Sequence, residues 1–160
     1  MIAKALITSF EYSGEVIAQQ VAEISHDESL RQAVAEGHSA NWLLGHIVSA
    51  RSYPLRFVRA SPVWSDDERA HYRDGSQAIG ADKPGVIDFR TLHEYFDLSQ
   101  SRLLTGLERM AANEFSAPSG YAANTVFESL LYFHFHETYH VGQLTMVAEA
   151  LGKRAKYLGS

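Results

Sequence analysis

Two histidines one helical turn apart, His136 and His140, are the residues of this chain best suited to chemistry. They lie within TVFESLLYFHFHETYHVGQLTMVAEAL, residues 125–151. At roughly 100° per residue, helix positions four apart project within roughly 40° of each other, so both imidazoles share one face. Neutral imidazole is a common ligand of zinc and related metals. The spacing therefore predicts part of a metal site.

The face shared by the two histidines is otherwise apolar and is expected to point into a core. It also carries Val126, Leu130, Phe133, Leu144, Val147 and Leu151. Burying a polar ring without a partner costs on the order of 1–3 kcal/mol, so each histidine needs a metal or a hydrogen bond. The opposite strip is expected to be solvated and carries His134, Thr138, Thr145 and Glu149. Phe127 and Leu131 on that strip indicate that another subunit covers part of it.

A third ligand is expected from a second helix. The apolar side of that helix is formed by Trp42, Leu43, His46, Ile47 and Ala50. Facing helices of a bundle place side chains in one inner layer, so His46 is expected to join His136 and His140. Three imidazoles leave one coordination position open, as in catalytic rather than structural zinc sites. Without a metal, the same rings would be core histidines bonded to carbonyl or tyrosine groups.

Two polar residues beside the pair each have two interpretations. Glu137 lies roughly 100° round the helix from His136, so it either borders the site or pairs with a basic residue. Gln143 either hydrogen-bonds a ligand ring or is an ordinary polar residue at the end of the bundle. The remaining histidines are expected to face solvent or loops: His26, His38, His71, His93 and His134.

Four amphipathic segments and no convincing strand pattern predict an all-α four-helix bundle, in one domain over residues 1–160. The first segment, 3–25, has an apolar stripe at Leu6, Phe10, Ser13, Ile17, Val21 and Ile24. The third has its stripe at Leu92, Phe96, Ser99, Leu103, Leu107 and Met110. The fourth is the histidine-bearing stretch described above.

The ends of the middle helices follow from local signals. The second is expected to run from the N-cap Ser39 to about Ala60, with a kink or break at Pro54, which lacks an N–H. The third is expected to begin near Asp88 or at Thr91. Between them, residues 61–87 form a long connection between helices two and three. Connections of this length often cover a site or a dimer surface.

Composition excludes several classes of function. No apolar run approaches the ~20 residues that span a bilayer, and no secretory signal is apparent, so we expect a cytoplasmic protein without a membrane partner. The absence of cysteine excludes disulfides, cysteine-bound zinc and a thiol nucleophile from the chain itself. A net charge of −5 without a basic stripe argues against nucleic-acid binding.

The motifs NWLLGHIV, residues 41–48, and HETYHVGQLTMVAEALG, residues 136–152, resemble the DinB-like superfamily of small metal-binding four-helix-bundle proteins. The resemblance covers all four helices in order, with specific motifs in the second and fourth. It implies that His46, His136 and His140 bind a divalent metal, which is zinc, nickel, iron or manganese in various members. It also implies a homodimer. Characterised relatives include thiol-dependent transferases and isomerases that use bacillithiol, mycothiol or glutathione.

The function implied by this resemblance is a metal-dependent thiol transferase or hydrolase that acts on a small electrophilic molecule. A low-molecular-weight thiol as cosubstrate suits a chain without cysteine, because the nucleophile is then brought in. One alternative is a non-catalytic metal-binding or stress-related bundle protein. A remoter alternative is a metallopeptidase, since residues 136–140 satisfy H-E-x-x-H. That pattern lacks a later third ligand on the same face and a strand to pair a peptide.

Overall fold

The computed structural model describes residues 1–35, 37–77, 79 and 83–153. In this part of the chain six α-helices and one 3-10 helix form, and no β-strand does. The helices are α1 (Ile2–Val21), α2 (His26–Ser29), α3 (Ala40–Phe57), α4 (Asp66–Ala70), α5 (Phe89–Arg109) and α6 (Val126–Ala150), with the 3-10 helix at Ala112–Ser116. The predicted all-α class is confirmed.

Helix starts follow the capping residues of the sequence. Thr125 accepts a hydrogen bond from the N–H of Glu128, whose carboxylate accepts one from the N–H of Thr125, so α6 begins with a capping box. The hydroxyl of Ser39 caps α3, and the carboxylate of Asp88 caps α5. Each cap supplies an acceptor to an N–H group that has no partner inside the helix. Of the two expected starts of α5, Asp88 is therefore the observed one, and Thr91 lies inside the helix.

Two helix ends differ from expectation. The first helix ends at Val21, four residues before the predicted end. α3 does not break at Pro54 but continues to Phe57. Pro54 and its neighbour Leu55 are both buried, so packing compensates for the one N–H that proline lacks.

The four long helices form the bundle, in which α1 and α3 each pack against both α5 and α6. The stripe predicted for α1 is buried throughout. The stripe predicted for α5 is buried up to Leu107, and Met110 at its end is half-buried. Hydrophobic burial between these stripes is the main force that holds the helices together.

A buried polar layer separates two apolar clusters inside the bundle. One cluster includes Ile17, Val48, Phe96 and Leu144. The other includes Phe10, Leu55, Leu103 and Leu130. Between them, each long helix contributes one buried polar residue: Ser13, Arg51, Ser99 and Glu137.

The expectation that the opposite strip of α6 is solvated is wrong for two of its residues. Nε2 of His134 lies 3.1 Å from the carbonyl oxygen of Ser9, and Nε2 of Gln20 donates to Oγ1 of Thr145 at 3.1 Å. Both partners belong to α1. Because α6 packs between α1 and α3, contacts cover two sides of it rather than one.

The 61–87 connection folds back onto the bundle. It contains α4 and places Trp64, Tyr72 and Ile79 in the apolar cluster around Phe96. A membrane-crossing helix, which needs both length and an apolar sequence, does not occur among the residues described above.

Candidate metal centre

The imidazoles of His46, His136 and His140 converge between α3 and α6. Nε2 of His136 lies 3.2 Å from Nε2 of His46 and 3.2 Å from Nε2 of His140. All three candidate ligand atoms fall within 4.8 Å of one another. In a tetrahedral site with metal–nitrogen bonds of roughly 2.1 Å, neighbouring nitrogen atoms lie roughly 3.4 Å apart. The structure thus brings together the three residues that the sequence singled out, in a geometry that can hold one metal ion.

The outer nitrogens of two rings determine where their protons lie. Nδ1 of His46 is 2.9 Å from the carbonyl oxygen of Tyr72, and Nδ1 of His140 is 2.6 Å from Oε1 of Gln143. Because both partners are oxygen acceptors, each Nδ1 carries the proton and donates it. Nε2 of each neutral ring then directs a lone pair at the shared centre. Hydrogen bonds of this kind orient metal-binding histidines in proteins, and Gln143 takes the first of its two expected roles.

The protons of the chain cannot satisfy all of these nitrogens. Nε2 of His136 carries at most one proton, so it can donate a hydrogen bond to Nε2 of His46 or to Nε2 of His140 but not to both. Its Nδ1 is buried and has no partner within the described ranges. A single cation would accept the three lone pairs at once. The donor set therefore fits a divalent metal.

Burial keeps the three rings neutral. It lowers the pKa of His140 to about 4, with a smaller effect from the neighbouring imidazoles. Burial also lowers the pKa values of His46 and His136 below the ordinary value for histidine. Protons compete with metals for imidazole only near and below its pKa. At neutral pH the three nitrogens are therefore available to a metal.

Tight packing on α3 fixes the ring of His46. The ring stacks on Trp42 with centroids 4.5 Å apart and planes 7° from parallel. Tyr72 packs directly against Gly45. A Cβ at Gly45 would lie 2.1 Å from Cδ1 of Tyr72, so only glycine allows Tyr72 to approach this closely. The buried hydroxyl of Tyr72 donates to Oδ1 of Asn41 at 2.9 Å. The side chain of Tyr72 therefore anchors the backbone carbonyl of the same residue, which orients the ring of His46.

The three histidines line an open cavity of about 710 Å³. Sites for small molecules typically have volumes of roughly 300–1,000 Å³. Much of the remaining wall is aromatic and includes Trp42, Tyr53, Tyr121, Tyr132, Phe133 and Tyr139. The 61–87 connection adds three charged side chains, those of Arg69, Arg73 and Asp74. The cavity can therefore admit a small molecule with both apolar and charged parts.

Glu137 is not part of this cavity wall. Its carboxylate accepts hydrogen bonds from Nε of Arg51 at 2.7 Å, from Nη2 of Arg51 at 2.9 Å and from Oγ of Ser13 at 2.6 Å. Of its two expected roles, pairing with a basic residue is the one observed. An H-E-x-x-H peptidase needs this glutamate as a general base beside the metal. A carboxylate buried in an ion pair away from the cavity cannot serve as that base.

Three other histidines depart from the expectation that they face solvent or loops. His38 lines the cavity and stacks on Trp42, with ring centroids 3.7 Å apart. His93 is half-buried and packs edge-on against Phe89. His134 is half-buried against α1, as described above. His71 is exposed, and half-exposed His26 accepts a hydrogen bond from the N–H of Phe89.

Sequence reasoning missed several residues around the centre. Arg51 follows Leu43 and Ile47 at helical spacing on the predicted buried stripe, so its partnership with an acidic core residue such as Glu137 was open to prediction. Tyr72 and Arg69 lie in the 61–87 connection, where no periodicity indicates which side chains turn inward. Their positions depend on the folded path of that connection.

Comparison with known proteins agrees with this architecture. A family model described as the DinB superfamily matches residues 9–144, a range that includes all three histidines. A solved structure described as the conserved protein of locus from Enterococcus faecalis has a TM-score of 0.71 and 14% sequence identity, and the match covers 94% of this chain and 97% of that chain. At this identity the likeness shows a shared fold. Among curated proteins, none matches the sequence.

Proposed function

The chain belongs to the DinB superfamily, and on this basis we propose that it is a metal-dependent enzyme that acts on a small electrophilic molecule. The reaction is thiol transfer or hydrolysis, and His46, His136 and His140 are the metal ligands. The observation that carries the proposal is the convergence of three Nε2 atoms in the wall of an open cavity. Zinc, nickel, iron and manganese all remain candidates for the metal.

The chemistry of the centre follows from its surroundings. A divalent metal held there lowers the pKa of a coordinated thiol or water and polarises a carbonyl group. The chain supplies three neutral ligands and leaves room for an incoming molecule on the cavity side. Tyr72 and Gln143 hold the rings of His46 and His140 in the tautomer that this role requires.

A thiol, if used, comes from a separate small molecule, because the chain has no cysteine. The aromatic wall suits the apolar part of an electrophilic substrate. Phe133 and Tyr53 stack with centroids 4.9 Å apart, and Tyr121 packs edge-on against Tyr53. These packed rings give one side of the cavity an apolar surface against which such a part can lie.

A second copy of the chain is the protein partner that we propose. Large apolar side chains on α6 are exposed to solvent: Leu131, Tyr132, Phe135, Tyr139 and Met146. Phe135 has the largest exposed fraction of these, 69%. An exposed apolar patch on a helix is typical of a protein–protein interface. Light scattering after size exclusion tests this proposal, and Phe135→Glu is expected to produce a monomer.

Metal analysis followed by turnover assays tests the proposed enzyme. Protein purified without oxygen or chelators is expected to contain equimolar metal and to accelerate the displacement of chloride from a nitro-activated chloroarene by a low-molecular-weight thiol. Substituting His46 with Ala should remove both the metal and the turnover while helical content is kept. Full metal occupancy in that variant would refute the ligand set. Equimolar metal without thiol-dependent or hydrolytic turnover would instead identify a non-catalytic metal-binding protein.

A further inference from the structure

Two arginines of the 61–87 connection line the same cavity as the three histidines. Arg69 lies in the short helix α4, and Arg73 follows it by four residues. Neither forms an ion pair with a carboxylate of the described residues. By contrast, Arg51 inside the bundle is fully paired with Glu137. The cavity wall thus contains two arginines that have no ion-pair partner among the described residues.

An aromatic ring holds the side chain of Arg69 in place. Its Cζ lies 5.4 Å from the centre of the Tyr53 ring, within the range of a cation–π contact. Its Nε is inaccessible to solvent and has no hydrogen-bond partner in the ranges that the structure describes. A buried N–H without an acceptor is costly, and a guanidinium matches the geometry of a carboxylate. Since Nε is shielded, Arg69, which lines the cavity, would offer the terminal Nη groups of its guanidinium to an anionic acceptor of a ligand.

The net charge of the cavity supports the same conclusion. Asp74 is the acidic residue of its wall, against the two arginines. Asp74 forms no ion pair with either arginine among the described residues. A divalent metal on the histidines would add further positive charge.

We propose that this cavity recognises a ligand with a carboxylate group, which Arg69 and Arg73 bind while another atom of the ligand reaches the three histidines. The apolar body of the ligand would lie against the stacked rings of Tyr53 and Phe133. This inference rests on the proposed metal-dependent function and specifies its ligand class. It assigns the 61–87 connection a role in specificity, because both arginines belong to it.

Binding of paired small thiols to the cobalt-loaded protein tests the proposal. Mercapto-carboxylates from mercaptoacetate to mercaptohexanoate are each compared with the mercapto-alcohol of the same length, and sulfur–cobalt absorption reports binding. At the best length, the carboxylate is expected to bind about ten-fold tighter, equivalent to about 1.4 kcal/mol. In the Arg69→Ala/Arg73→Ala variant the ratio should fall to near unity. The matched control Arg90→Ala removes an exposed arginine of α5 and should keep the preference.

The outcomes separate this proposal from the proposed function. If thiols bind but carboxylates and alcohols bind equally at every length, the carboxylate site is refuted and the metal function stands. If no thiol binds, thiol chemistry is refuted, and calorimetric titration with plain alkyl carboxylates then decides the anion site. Binding that the double variant loses would support the site, and unchanged binding would overturn it. Should the double variant fail to fold, the exposed Arg73→Ala alone is compared in the same way.

Discussion

Nε of Arg51 on α3 lies 2.7 Å from Oε2 of Glu137 on α6, in the layer that separates the two apolar clusters. The guanidinium also donates to Oγ of Ser99 at 3.1 Å, and its Cζ lies 4.1 Å from the centre of the Phe96 ring. Glu137 is adjacent in sequence to His136. The pair therefore fixes the rotation of α6 against α3, the two helices that carry the candidate ligands.

Breaking this pair is expected to destabilise the fold. Glu137→Gln leaves the buried guanidinium of Arg51 without a charged partner, which typically costs about 3–5 kcal/mol of unfolding free energy. Urea denaturation of metal-free protein measures the effect. The matched control is Glu94→Gln, because Glu94 pairs with Arg90 at an exposed site, where a salt bridge contributes less than about 1 kcal/mol. Equally small effects of the two substitutions would contradict the role of the buried layer.

Removing the acceptor at Gln143 is expected to weaken metal binding without abolishing it. Gln143→Ala leaves Nδ1 of His140 without its partner at 2.6 Å, so the ring is free to rotate and to change tautomer. Loss of such a hydrogen bond typically lowers metal affinity about 10–100-fold. Competition with a chromogenic chelator measures the affinity. The control Gln19→Ala removes an exposed hydrogen bond from Gln19 to Glu15 on α1 and should have no effect. An unchanged affinity of Gln143→Ala would refute the orienting role.

Two helical glycines beside the centre should respond in opposite directions to alanine. At Gly45 the added Cβ would meet the Tyr72 ring at 2.1 Å, so Tyr72 and the carbonyl that orients His46 must move. We expect a loss of about 1–3 kcal/mol in stability and weaker metal binding. At Gly142 the added Cβ would meet no described atom within 4 Å apart from its chain neighbours and its own helix backbone, and alanine should stabilise the helix by about 0.5–1 kcal/mol. Denaturation and metal titration of both variants test this, and similar results for the two would refute the close packing at Gly45.

The parts of this structure that sequence predicts well are those governed by helical periodicity. The spacing of His136 and His140 places them on one face, and the apolar stripe around His46 places that residue in the core. Both inferences need only the geometry of a single helix and the cost of burying a polar ring. Capping signals at Ser39 and Thr125 likewise act over one turn, and they correctly predict where α3 and α6 begin.

The parts that sequence does not predict depend on contacts between distant segments. Periodicity alone gives no indication that Tyr72 returns to Gly45, because the 61–87 connection lacks a regular pattern. The half-burial of His134 likewise cannot be predicted from α6 alone. It arises because α1 packs against α6, and this packing involves distant segments. Glu137 is an intermediate case. Helical spacing places Arg51 on a buried stripe, where an acidic partner could be predicted, but the contact with Glu137 itself depends on how α3 packs against α6.

The stability of the metal-free protein is expected to fall as the pH is lowered from about 6.5 towards 4. Burial lowers the pKa of His140 to about 4, whereas an unfolded histidine titrates near 6.5. In this interval the unfolded state binds more protons than the folded state, so each falling pH unit removes up to about 1.4 kcal/mol of unfolding free energy per histidine.

The variant His140→Asn tests this prediction, because asparagine cannot titrate. It should reduce the dependence of stability on pH, which urea denaturation across the range measures. His38, His46, His93 and His136, whose pKa values burial also lowers, add to the slope in both proteins, so the test is the difference between the two slopes. An identical slope in the variant would show that His140 is not buried in its neutral form.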